Sequence, residues 1–276
     1  MTKHVEVPTS SIGTDELPEI LVKELPSKFL PYPENASIYY LPYSWGDVKN
    51  ISQSKINTKD FFIKVLAGIR TDGFEVLDLT VQDFLYIALL RKLSSFGAAD
   101  AIEVTFKCPA CLRASLAKVM LRLVSFEELK VPALPITLQT SKGERIFSPL
   151  TLRRYFELFD MKMDENVDAM IAACCTNVAD IRQVMDEQKK STGMDMELYA
   201  TLAAFFDYGV LPVEVKCENK MPAPVTDPPT PDAKDTICGT TIKLLVDGGG
   251  IFIRPFRGSE DNLESRIRFG KAPAHT

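Results

Sequence analysis

Cys108-Pro109-Ala110-Cys111 sets two thiols at a spacing that lets both sulfurs meet one tetrahedral metal ion from a tight turn, with Pro109 helping to fix the bend. Two more cysteines, Cys217 and Cys238, stand far downstream, the second followed at once by Gly239. The stretch before the first pair, Ala101 to Lys107, alternates as a strand does, and so does Val213 to Lys216 before Cys217. Two strand-to-knuckle joints predict two halves of a zinc-ribbon-like site, with Cys108, Cys111, Cys217 and Cys238 as ligands and zinc as a structural cofactor. Four thiolates leave no open position for water or substrate. Such an ion would clamp distant parts of the chain and stabilise a small sheet with a thin core.

The second half departs from ordinary knuckle spacing, because 20 residues lie between Cys217 and Cys238. That stretch, Glu218 to Ile237, holds Pro222, Pro224, Pro228, Pro229 and Pro231 and reads as a mobile insertion. An insertion of this length need not destroy the site, since loop closure costs little per added residue. Other readings of the four cysteines stay open: unligated thiols, an oxidised Cys108–Cys111 pair, or tetrathiolate iron. Cys174 and Cys175 belong to an apolar helical run, Asp168 to Cys175, and read as small core residues.

The elements that must position these residues belong to a chain of 276 residues, 46% apolar and 25% charged, with a net charge of −5. These are the proportions of an ordinary globular protein, with no global attraction to nucleic acid or to anionic membranes. No run approaches a membrane span, and Met1 to Ser27 carries five acidic residues and no apolar core, so synthesis in a reducing cytoplasm is expected. There, clustered cysteines favour a metal over a disulfide. The two histidines are His4 and His275. Both stand near the ends of the sequence, so catalysis built on an ordered histidine in the body of the fold is not expected, and a non-enzymatic role is.

Five segments follow from the pattern. Residues 1–50 are proline-punctuated and predict an extended N-terminal arm, with a strand at Ser37–Leu41 and an aromatic cluster (Tyr39, Tyr40, Tyr43, Trp45) packed on the body. Residues 51–100 predict two helices. Asn57-Thr58 precede one with Phe61, Phe62, Val65 and Leu66 on one face; Thr80 caps the other, with Phe84, Leu85, Ala88, Leu89 and Leu93 along one side. Residues 101–148 predict the first half of the β unit and a hairpin turning at Ser141-Lys-Gly143. Residues 149–209 predict a helical insertion, started by Ser148-Pro149, with a capped start at Thr192 and Asp195 and a C-terminal cap at Gly209. Residues 210–276 predict the second half of the β unit, the proline-rich loop and a basic tail. The fold class is thus α+β: a small zinc-ribbon-like antiparallel β unit interrupted by a helical insertion.

Other candidate chemistry is thin. Gly248-Gly-Gly250 lacks the partner residues of a phosphate cradle and reads as a hairpin turn. Asp160, Asp164, Glu165 and Asp168 cluster near a helix start, where dipole complementation explains them. Arg113, Lys118 and Arg122, with Arg254, Arg257, Arg266, Arg268 and Lys271, could form a basic face, which makes a zinc-ribbon nucleic-acid-binding factor the alternative reading. The acidic total and the absence of interleaved aromatics in the tail favour docking on an acidic protein partner instead.

An ordered set of short motifs runs through the chain: Leu25-Pro-Ser27, Tyr32-Pro33, Asp78-Leu-Thr80 with Asp83, Leu90-Arg91, Ser95-Phe-Gly97, Phe106, Cys108-Pro109 with Cys111, and Pro149-Leu-Thr-Leu-Arg153. This set resembles the baseplate hub-subunit family of contractile-tailed bacteriophages, which includes the T-even-type hub assembly protein. The resemblance is densest over residues 25–111. It implies a tail protein that helps build or complete the baseplate hub, with other hub and tail proteins as partners and no catalytic residues. It implies a location in the virion tail baseplate, or in the host cytoplasm during assembly. The chain departs from the pattern at Leu112, where a knuckle often has glycine, and in the stretched second cysteine pair.

Overall fold

A 16-residue run without glycine or proline, Val81–Phe96, forms the longest helix among the described residues, and every residue from Val81 to Arg91 is buried. A helix apolar around its circumference must be surrounded, and the rest of the fold does this. The computed structural model describes residues 2–4, 18–52, 58–96, 101–120, 124–164, 166–221 and 236–244. In chain order these give β1 (Thr2–His4), β2 (Ile20–Leu21), β3 (Ser37–Tyr40), α1 (Trp45–Ser52), α2 (Lys59–Leu66), β4 (Ile69–Asp72) and the long helix, α3. There follow β5 (Ala101–Lys107), β6 (Ala114–Met120), β7 (Ser125–Glu127), β8 (Ile136–Thr140) and β9 (Gly143–Phe147). Then come α4 (Leu152–Met161), α5 (Val167–Ala173), α6 (Ile181–Lys189), α7 (Met194–Phe205), β10 (Gly209–Val210), β11 (Val213–Lys216), β12 (Lys220–Met221), β13 (Thr236–Ile237) and β14 (Thr241–Leu244). The class is mixed α+β, with seven α-helices and several small antiparallel sheets among the described residues. No helix among them is long and apolar enough to cross a membrane.

Helix α2 forms as its sequence predicts. Thr58 caps it by accepting from the Phe61 amide at 3.3 Å, and Phe61, Phe62, Val65 and Leu66 are its buried face. The Phe62 ring then meets Phe84 of α3 and Tyr155, Phe156 and Phe159 of α4, with centroids 5.4 to 6.2 Å apart. Aromatic pairs in this range add roughly 0.5–1.5 kcal/mol each beyond their burial, so one ring joins three helices.

Residues 18–44 lie on the body, in sheet β2-β3-β4 and the turns around it, and they bury Ile20, Val22, Leu25, Tyr32, Ile38, Tyr40 and Tyr43. An apolar side chain at most of these steps explains why the segment expected as an arm joins the core. The aromatic cluster divides: Tyr40 and Tyr43 are buried, whereas Trp45 opens α1 at 81% exposure.

The short motifs of the N-terminal half meet at two polar junctions along α3. At its start, Thr80 caps the helix by accepting from the Asp83 amide at 3.2 Å. The Asp83 carboxyl, fully buried, accepts from the Ser27 amide at 3.1 Å and from the Tyr32 hydroxyl at 2.6 Å. The Tyr32 hydroxyl in turn accepts from the Thr80 amide at 3.0 Å, and Tyr208 donates to the Thr80 hydroxyl at 3.1 Å. At the other junction Arg91, 1% exposed, donates through Nε to the Leu41 carbonyl at 2.7 Å and through Nη1 to the Val65 carbonyl, with its guanidinium 4.1 Å from the centre of the Tyr43 ring. Gly68 makes room for it: a Cβ there would lie 2.0 Å from Arg91 Nη2. Ser95 accepts from the Tyr43 amide and donates to the Arg91 carbonyl.

Three expected caps are displaced. The cap of α4 is Thr151, not Ser148, because residues 148–151 first run extended: the Val81 amide bonds the Leu150 carbonyl, the Leu152 amide bonds the Leu79 carbonyl, and Thr80 bridges Thr151. Gly193, not Thr192, precedes α7; Asp195 reaches across to the Ser141 amide and hydroxyl in the β8–β9 turn. Gly209 is a strand residue with φ of +110°, and a Cβ there would press to 3.0 Å on the Gln82 side chain, so it is glycine for close approach to α3 and not for capping. Cys174 and Cys175 are buried as predicted, and burial pushes the Cys174 thiol far up.

Burial raises the Asp83 carboxyl above its ordinary range despite the hydrogen bonds it accepts. A raised native value means that ionisation works against the fold. Its contribution is complete below the unfolded value of about 4 and is lost as pH rises through the native one. Asp83→Asn is expected to flatten that decline in melting curves taken from acid to neutral pH; an unchanged pH dependence would refute the assignment. Asp83→Ala strands the Ser27 amide and the Tyr32 hydroxyl and is expected to cost about 2–4 kcal/mol in denaturant unfolding.

Candidate metal centre

Two hairpins carry the four cysteines. β5 and β6 pair from Ala101↔Met120 to Lys107↔Ala114, and β11 and β14 from Val213↔Leu244 to Lys216↔Thr241. Strand alternation gives each a buried face: Phe106, Ser115 and Val119 on the first, Val215, Ile242 and Leu244 on the second. β11 lies against β6, and helices α4–α7 fall between the hairpins in sequence.

Each hairpin ends in a knuckle, and the two knuckles have the same hydrogen bonds. In the first, the Cys108 amide bonds the Arg113 carbonyl at 3.0 Å and the Leu112 amide bonds the Cys108 carbonyl at 2.8 Å. In the second, the Cys217 amide bonds the Thr240 carbonyl at 2.9 Å and the Gly239 amide bonds the Cys217 carbonyl at 3.0 Å. The residues after the second cysteines match too: Leu112 has φ of +59° and Gly239 of +65°. The 20-residue separation is absorbed by a side ribbon. β12 and β13 pair Lys220↔Ile237 and Met221↔Thr236, so the chain leaves and re-enters the knuckle through adjacent strands. The Cys238 amide then bonds the Asn219 carbonyl at 2.9 Å.

The knuckles bring all four sequence-predicted ligands together. Their sulfurs lie within 4.8 Å of one another, and two pairs, Cys108–Cys238 and Cys111–Cys217, stand at 3.7 Å. Tetrahedral coordination at a zinc–sulfur distance of about 2.3 Å sets sulfurs roughly 3.8 Å apart. The donor set and spacing therefore fit a tetrathiolate metal ion. All six cysteines are free in this structure. Cys108 and Cys217 are fully buried, while Cys111 and Cys238 are partly exposed.

The surroundings favour thiolates on the exposed side. The Arg113 amide first, and then the Asn219 side chain, lower the Cys111 thiol to about 6. The Thr240 hydroxyl, 3.2 Å away, and its amide lower Cys238. Burial pushes Cys217 the other way, to about 11, although the Asn219 amide and the Ser115 hydroxyl bond its sulfur. In three cases the amide donor stands two residues beyond the cysteine, a geometry set by the knuckle backbone alone. The side chains of Asn219, Thr240 and Ser115 have no comparable signature in the sequence. Arg113, read there as part of a basic face, donates at 3.0 Å to the Lys220 carbonyl and joins the hairpins. Arg122 and the basic tail from Arg254 onward lie outside the described residues, as does Gly248-Gly-Gly250.

No protein-family model, curated protein or solved structure matches the chain.

Leucine at a left-handed position carries about 1–2 kcal/mol of strain that glycine does not. Its side chain, 69% exposed, has little packing to lose. Leu112→Gly is expected to raise the stability of the protein by about 1 kcal/mol, the strain relief being partly offset by the greater freedom of unfolded glycine. Lower stability in a denaturant titration would show that Leu112 has a packing role.

Proposed function

We propose that this chain is a non-enzymatic structural or assembly protein, built around a four-cysteine zinc clamp, that acts in the baseplate hub of a contractile phage tail. The clamp rests on one observation: four free cysteines from two hairpins converge with sulfur spacings suited to a tetrahedral ion. Zinc is preferred because it takes four thiolates without strain from geometry or redox change. The two hairpins, with the side ribbon, form the zinc-ribbon-like unit. A clamp rather than a catalytic metal follows from the full thiolate set, which leaves no ligand position for a substrate.

The hub placement rests on the ordered motifs and on the part they play in the fold. Ser27, Tyr32, Thr80 and Asp83 meet at one junction of α3; Arg91 and Ser95 meet at the other. These residues hold the architecture together, as motifs shared by a family of structural proteins would. The partners would be other baseplate and tail hub proteins. A zinc-ribbon nucleic-acid factor is the weaker reading, because Arg113 is turned to the Lys220 carbonyl and the net charge is −5.

Purified protein is expected to carry one zinc per chain by mass spectrometry of metals, and Cys108→Ser to lose it together with thermal stability. Unchanged metal content and melting in that variant would refute the clamp. For the hub, quantitative proteomics of purified tails and assembly intermediates is expected to find this chain at a fixed low copy number in finished tails or in intermediates alone. Absence from both would overturn the placement.

A further inference from the structure

Asn219 touches both hairpins and three of the four cysteine positions. Its side-chain nitrogen lies 3.5 Å from Cys111 Sγ and 3.1 Å from the Ala114 carbonyl, both on the first hairpin. Its amide bonds Cys217 Sγ, and its carbonyl accepts from the Cys238 amide at 2.9 Å. Asn219 thus fixes a sulfur from each knuckle and the backbone of the fourth ligand at once. Arg113 makes the return contact, from the first hairpin to the Lys220 carbonyl, the next residue after Asn219. The two contacts run in opposite directions across the same seam.

We propose that Asn219 is the positioning residue of the metal centre: it holds the two halves in register and donates to ligand sulfurs on both sides. Thiols give up their protons only as the ion binds, so until then the sulfurs contribute no bond that holds the two knuckles in register. An uncharged amide is suited to that task. It supplies two N–H donors, one for a sulfur and one for a carbonyl, and adds no negative charge. Aspartate has the same shape but no donor, and it would place a carboxylate against Cys111. Outer-shell partners of this kind typically change metal affinity by about 10–100-fold.

The inference rests on the metal reading above and is tested separately from it. The full-length protein and the variants Asn219→Ala, Asn219→Asp and Arg113→Ala would be titrated with zinc against a chromogenic chelator, then with cobalt(II) to record the sulfur-to-cobalt charge-transfer band. Asn219→Ala is expected to weaken zinc binding by about 10–100-fold and Asn219→Asp by more. Both should shift the charge-transfer band to lower energy, because a sulfur that loses an N–H donor becomes a stronger electron donor. The Arg113 side chain crosses the same seam without touching sulfur, and its backbone amide to Cys111 survives the substitution; Arg113→Ala should therefore weaken binding but leave the band in place. Wild-type affinity and an unmoved band in both Asn219 variants would overturn this inference and leave the clamp standing. Failure of the unmodified protein to bind either metal would overturn both.

Discussion

A buried helix start must have its first amides and its polar side chains satisfied without water, and at α3 this requirement organises the N-terminal half. Thr80 satisfies one amide. Asp83 then needs donors of its own, and the Ser27 amide and Tyr32 hydroxyl provide them from residues more than fifty positions earlier. The segment holding those donors cannot leave the body without stranding a carboxyl group in an apolar interior, a penalty of several kcal/mol for each unpaired partner set. The extended pairing of residues 150–152 with 79–81 adds the start of the helical region to the same point. One capped turn thus holds the N-terminal segment, α3 and α4 together.

The cysteine hairpins work by a different principle. Each is only two strands wide, too small to be stable in water by its own core. Their buried faces meet, but the apolar side chains on them are few. What the two hairpins share at their tips is the convergence of four cysteine sulfurs. The identical backbone bonding of the two knuckles, despite a proline-rich stretch in one of them, shows that the unit is defined by its hydrogen-bond frame and not by the count of residues between its cysteines.

Much of this was legible in the sequence because it depends on local rules. Cys108-Pro109-Ala110-Cys111 carries its geometry in its spacing, Thr58 and Thr80 carry theirs as caps, and Ser141-Lys-Gly143 marks a turn that the φ of +104° at Gly143 requires. What was hidden depends on contacts between distant segments. Thr151 supersedes Ser148 because of the strand-like run beside Leu79. Gly209 is glycine because Gln82 stands over it. Leu25 and Tyr32 looked like punctuation in an arm because nothing in their spacing names the helix they cover, whereas Tyr40, read as packing on the body, is buried there. Asn219 was silent for the same reason: an asparagine in a loop announces a turn, not three cysteines. Leu112 was visible as an anomaly, yet only the matching φ of Gly239 explains why that position favours glycine.

The β12–β13 ribbon separates two things that are usually coupled, the shape of a knuckle and the length of its loop. Met221 and Thr236 are paired, so any chain leaving one and returning to the other begins and ends at a single fixed rung. Lengthening or replacing what lies between changes the closure free energy only logarithmically, and the sulfur positions are set below the rung. The knuckle therefore behaves as a socket with a standard fitting. Foreign sequence grafted between residues 222 and 235 would inherit a strand-paired base beside the four cysteines, which makes this the natural place in the molecule to carry a tag, an epitope or a second binding module.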